Sequence, residues 1–157
     1  MSVAFRRESD DEHLEPKFEV PIAPGPNLVT RRGLRQIEAK LADLDAAIAS
    51  QADETARTAL KRDHRYWGTR LSTAHVVPPA GDEEVAIGSR VTFRRDGKIR
   101  TIDIVGGDEA DAASDRIAFA APLARALIGL ARGETTDFAG KPDGLEVLET
   151  ARSPDKD

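Results

Sequence analysis

The chain has 157 residues, a formal net charge of −5, 39% hydrophobic residues and no cysteine. That length holds one ordinary domain, or a small domain with a helical appendage, and excludes a large multidomain enzyme. The lack of cysteine excludes a disulfide framework and a thiolate metal site, and no apolar run approaches the roughly 20 residues that span a bilayer. The opening MSVAFRRESDDEHLEP has no apolar stretch of the kind a secretory signal needs, so a cytoplasmic protein with no membrane role is expected.

Charge is unevenly spread. Thr30 to His75 carries nine Lys and Arg against six Asp and Glu, whereas the segments on either side are acidic. A basic middle in an acidic chain is the usual footprint of a nucleic-acid or phosphate neighbour.

Residues 1–29 hold Pro16, Pro21, Pro24 and Pro26 among scattered charges without periodicity, and are read as a disordered tail. From Thr30, a plausible N-cap, Leu34, Ile37, Leu41, Leu44 and Ile48 repeat at 3, 4, 3, 4 and predict a helix with one narrow apolar seam. A second helix is predicted from about Asp53 to Ala74, its seam formed by Leu60, His64, Trp67, Leu71 and Ala74. Neither helix is apolar all round, so the two should form an antiparallel hairpin over residues 30–76.

Pro78 and Pro79 end the second helix, and residues 77–84 read as a linker. The period then changes to two. Arg90 to Arg95 and Lys98 to Val105 flank Asp96-Gly97, a two-residue hairpin turn. Ile117 to Ala120 is a third strand, Pro122 opens a short helix, and Thr135 to Phe138 with Leu145 to Glu149 supply the rest. The expectation is an α+β chain: the helical hairpin, then a small antiparallel sheet domain with one short helix over residues 85–150, then a tail at 151–157.

Three blocks of this second part carry a likeness: Ile87 to Phe93 (IGSRVTF), Ile104 to Asp111 (IVGGDEAD) and Pro122 to Gly129 (PLARALIG). In that order they resemble the C-terminal domain of the bacterial Gre transcript-cleavage factors, the GreA/GreB family. The resemblance implies an FKBP-like fold for residues 85–150 and a coiled-coil hairpin before it. It also implies binding to bacterial RNA polymerase through the secondary channel, with nascent RNA and DNA met only within the elongation complex. Any cleavage of backtracked RNA would be performed by the polymerase active site, so the chain is expected not to be an enzyme. No cofactor or metal site of its own is expected, only a share in the polymerase's Mg2+.

By the same resemblance, Asp108, Glu109, Asp111, Pro122 and Arg125 are the candidate polymerase-docking residues. The acidic turn also reads as a structural feature, and Leu123, Leu127 and Leu130 as core packing. The hairpin-tip acids are Asp53 and Glu54. In the family the tip acids stand in a D-x-x-E-N pattern; here they are adjacent and followed by Thr55. Capping of the second helix by Asp53 is the first reading of the pair and a shared-metal role the second. The hairpin is shorter than in the cleavage factors, which resembles the Rnk-type relatives that bind polymerase without being good cleavage factors.

Arg57, Lys61 and Arg65 lie four apart on the second helix with Arg62 beside them, a basic stripe that RNA or polymerase acids would match. Pairing with Glu38, Asp43 and Asp45 of the first helix is the commoner explanation. Trp67 falls on the seam, Tyr66 off it. His13, His64 and His75 show no metal-binding spacing. Two other classes stay open: a prolyl isomerase, whose aromatic pocket could draw only on Phe93, Phe119 and Phe138, and a hairpin adaptor for another protein such as a nucleotide kinase.

Overall fold

The seam that begins at Thr30 becomes helix α1 (Arg31–Ser50) in a computed structural model that describes residues 19–154. Thr30 is its N-cap, the hydroxyl accepting from the Gly33 N–H at 3.0 Å and so satisfying one of the free donors of the first turn. Ile37 and Leu44 are buried, with Leu34, Leu41 and Ile48 half-buried beside them. Helix α2 (Glu54–Thr73) returns against α1, and at 20 residues each the helices are about 30 Å long.

The second seam departs from expectation at its base. Leu71 is 36% exposed, and the buried residue of α2 is Arg70. There the helix faces Asn27 and a polar turn of the following domain as well as α1, so a guanidinium with partners fits where leucine would not.

The tail expected over residues 1–29 lies outside the described residues as far as residue 18. Its end is corrected: Asn27 and Val29 are 5% and 2% exposed, and β1 (Leu28–Val29) pairs in parallel with β2 (His75–Val76). The expected linker is bonded at both ends, since the Val77 N–H donates to Val29 O at 2.9 Å and Glu84 bridges to Ala131.

Strands β3 (Ser89–Arg95), β4 (Lys98–Val105), β5 (Arg116–Ala118), β6 (Thr135–Phe138) and β7 (Lys141–Arg152) form one sheet in the order β5-β4-β3-β7-β6. Asp96 and Gly97 turn β3 into β4 at φ 51° and 74°, the left-handed pair a tight hairpin requires. The sheet is mixed rather than wholly antiparallel: β4 and β5 run parallel, because residues 106–115 carry the chain back through two short 3-10 turns instead of reversing it. The last strand passes the expected boundary at residue 150, and the Ser153 N–H still donates to Gly88 O at 2.8 Å.

One face of the sheet carries the core. Val91, Phe93, Ile102, Ile104, Leu145 and Val147 pack with Val85 against helix α3 (Pro122–Leu127), which contributes Ala124 and Leu127. Among the described residues no helix is long and apolar enough to cross a membrane.

Candidate functional site

A single 3-10 turn, Gly107–Glu109, joins the hairpin to the sheet domain, and its two acids hold one helix each. The Glu109 carboxylate receives the Thr30 hydroxyl at 2.5 Å, the Thr30 N–H at 3.3 Å and the Gly106 N–H at 3.0 Å. It thereby sits at the N-terminus of α1, where the helix dipole favours negative charge. Asp108 takes α2: Arg70 Nε donates to one carboxylate oxygen at 2.6 Å and the Tyr66 hydroxyl to the other at 2.5 Å.

Asn27 closes the network. Its amide donates to Arg70 O at 2.8 Å and Thr73 Oγ1 at 3.2 Å, and its oxygen accepts from Arg70 Nη2 at 2.7 Å. The Arg70 and Asp108 side chains are only 10% and 11% exposed, so each charge depends on the other for compensation. Burial first, then the bond to Asp108, pushes the Tyr66 phenol up to about 12. The joint is also sterically closed: a Cβ on Gly33 would lie 2.3 Å from Glu109 Oε2, and one on Gly106 would lie 2.7 Å from Leu28 O.

This geometry divides the candidate docking residues. Glu109 is 5% exposed and Asp108 is bonded to α2, so neither presents a free carboxylate to a partner. Both carboxylates are committed to the joint between the helices and the turn. Asp111 is exposed but caps the next 3-10 turn, and the Ser114 hydroxyl, with the Ala113 N–H, holds its carboxyl below the ordinary range. Pro122 and Arg125 are exposed on α3, followed by Ile128 at 37%, while Ala124 and Leu127 of the same helix point into the core.

At the tip, Asp53 is the N-cap of α2 and accepts the Ala56 N–H at 2.8 Å. The Glu54 side chain is 83% exposed, and among the described residues it is approached only by Arg57 at 3.6 Å. Among the described residues no three His, Cys, Asp or Glu gather as a metal site.

The basic stripe is not uniform. Arg57 is bound into the tip, donating to Gln51 O at 2.6 Å, and Arg65 is held by Glu19. Lys61 is exposed and Arg62 half-buried. Of the three acids expected to neutralise the stripe from α1, Asp45 pairs instead with His64 at 2.8 Å.

The aromatics that an isomerase pocket would need are committed elsewhere. Phe93 is buried, Phe119 and Phe138 pack against the same core, and Arg95 lies 4.8 Å over the Phe138 ring. The groove beside the joint is lined by Arg31, Arg32, Pro78, Pro79 and Arg152 among others, with no aromatic side chain.

Residues 80–149 match the family model described as the C-terminal domain of the transcription elongation factors GreA/GreB. Transcription elongation factor GreB of Neisseria meningitidis serogroup A is 36% identical over 94 residues, 57% of each chain. GreA of Ralstonia nicotianae is 39% identical over 86 residues, 52% of this chain and 54% of that one. The match therefore spans a little over half the length of these relatives. A solved GreA/GreB elongation factor from Nitrosomonas europaea aligns over 79% of this chain and 98% of its own, at 23% identity and a TM-score of 0.39. Over residues 80–149, then, this chain is similar to the C-terminal domain of the GreA/GreB transcription elongation factors.

Proposed function

We propose that this protein is a transcription elongation factor that binds bacterial RNA polymerase in the cytoplasm and directs its hairpin into the secondary channel. The observation that carries the reading is the GreA/GreB C-terminal domain at residues 80–149, to which the hairpin is fastened by the Asp108 and Glu109 turn. A hairpin so held has a fixed direction once the domain has docked. Docking falls to the exposed part of α3, namely Pro122, Arg125 and Ile128, because the core takes its other face.

Regulation by occupancy of the channel ranks ahead of stimulated cleavage. Of the two tip acids, Asp53 gives one oxygen to the Ala56 N–H and Glu54 alone stands clear of backbone bonds. The pair offers hard oxygen ligands suited to sharing the polymerase's Mg2+, and the chemistry of RNA hydrolysis would be the polymerase's. The chain itself has no enzymatic role in this reading and needs no cofactor. Nascent RNA and DNA are met only within the elongation complex.

The test is binding of labelled protein to core RNA polymerase. Micromolar or tighter binding, weakened at least severalfold by Arg125→Glu, supports the reading; no binding at micromolar concentration sinks it. Addition to backtracked complexes then separates regulation from cleavage. Release of short 3′ RNA fragments that Glu54→Ala abolishes would move Glu54 into the mechanism.

A further inference from the structure

The segment before α1 crosses the basic face of α2. Glu19 grips Arg65 through its carboxylate, with Arg65 Nη2 2.6 Å from Oε1 and Nε 3.1 Å from both oxygens. Downstream, Asn27 is buried and bonded to Arg70 and Thr73 of the same helix. Between them Pro21, Pro24 and Pro26 stiffen an exposed stretch that bends at Pro24 and Gly25, where Gly25 takes φ 98°.

The two ends of this arm differ in strength. Asn27 is built into the joint and continues into β1, whereas Glu19 and Arg65 keep 62% and 56% of their side chains in solvent. Exposed ion pairs of this kind exchange readily and weaken with salt. The arm can therefore release Arg65 without disturbing the joint. Arg65 stands beside the exposed Lys61 and the half-buried Arg62, so the residue that Glu19 neutralises is one of the cations this face offers. The field of Arg62 also falls on Glu19, whose carboxyl is held below its ordinary range, chiefly by Arg65.

We propose that the arm Glu19–Asn27 is an autoinhibitory contact, in which Glu19 competes for Arg65 with carboxylates of an acidic protein surface that the basic face of α2 engages. The occupant is assigned from the ligand Arg65 already holds: a guanidinium fork filled by a carboxylate accepts the same group from a partner. Identifying that surface with RNA polymerase rests on the proposed function.

The experiment compares the full chain with Glu19→Gln, Arg65→Gln and the double variant, against polyglutamate, oligouridine RNA and core polymerase at low salt. Glu19→Gln should bind polyglutamate and polymerase about two- to fivefold more tightly, a gain that 0.5 M salt removes and that disappears in the Arg65→Gln background. Equal polyglutamate affinity for the wild type and Glu19→Gln overturns the contact. A gain toward oligouridine alone overturns the assignment to an acidic surface. If polyglutamate binding tightens while no variant binds polymerase, the inhibitory contact stands and the polymerase reading falls.

Discussion

The two ends of the hairpin carry acids in similar number and use them in opposite ways. At the tip, Asp53 and Glu54 are exposed, and among the described residues the contacts of their carboxylates reach no further than Ala56 and Arg57. At the base, Asp108 and Glu109 are enclosed and, apart from the neighbouring Gly106 N–H, their partners lie 38 to 79 residues away in sequence. A carboxylate bound only to its own helix leaves the surface free for a partner. One bound across the chain makes the fold, so the base positions the hairpin and the tip is what the hairpin presents.

The largest expected effect is therefore at the base. Asp108→Ala leaves the Arg70 guanidinium enclosed without its counter-charge and the Tyr66 hydroxyl without an acceptor. Removing one partner of a buried pair costs about 3–5 kcal/mol. Denaturant unfolding monitored through Trp67 reads the loss, and a change below about 1 kcal/mol would mean that the pair does not hold the joint.

Gly33→Ala comes next, and its sign is the informative part. Alanine in an open helix position gains about 1 kcal/mol over glycine. Here its Cβ would lie 2.3 Å from Glu109 Oε2, so the carboxylate must leave its bonds to Thr30 and Gly106. The expected net is a loss of about 2 kcal/mol, from overpacking and unmade hydrogen bonds. In a Glu109→Ala background the obstacle is gone and the same change should stabilise. Unfolding curves of the four chains form a double-mutant cycle that isolates the contact.

At the tip the effects should be smaller. Asp53→Ala removes an N-cap and costs about 1 kcal/mol, while Glu54→Ala, on an exposed side chain, stays within about 0.5 kcal/mol. A loss at Glu54 as large as at Asp108 would erase the contrast between the two ends. Function sharpens it instead if Glu54→Ala alters RNA release with stability unchanged.

The tip was legible in the sequence and much of the base was not, for one physical reason. Caps and seams are local: Thr30 and Asp53 precede their helices, Ile37 and Leu44 recur at helical spacing, and Asp96-Gly97 marks its turn by its own backbone preference. Pro122 announced α3 in the same way. By contrast β1 and β2 have two residues each, too few to show a period. The turn at Ala139 and Gly140 placed alanine at φ 50°, which composition does not suggest, so β7 begins earlier than Leu145. The periodicity puts Leu71 on the seam and gives no sign of Arg70, because the partners that bury Arg70, Asn27 and Asp108, come from other parts of the chain. Asp108 and Glu109 were singled out as a motif, but only the fold shows that each takes a different helix.

The smallest effect, a pH dependence confined to the alkaline range, reports on the base most directly. Tyr66 is the only tyrosine, so the absorbance of its phenolate near 295 nm follows this one group. Burial, then the bond to Asp108, raises it from 10.0 to about 12, whereas in the unfolded chain the phenol regains its ordinary value. Between those two values the unfolded state has released a proton that the folded state still binds, so stability falls as pH rises. The contribution of Tyr66 is fully present below pH 10.0 and is lost as pH rises through about 12. Tyr66→Phe should flatten this alkaline limb, and Asp108→Ala, which opens the joint, should bring the phenol back toward its ordinary value. A titration midpoint near 10 in the wild type would mean that the phenol is in water and that α2 is not closed onto the turn.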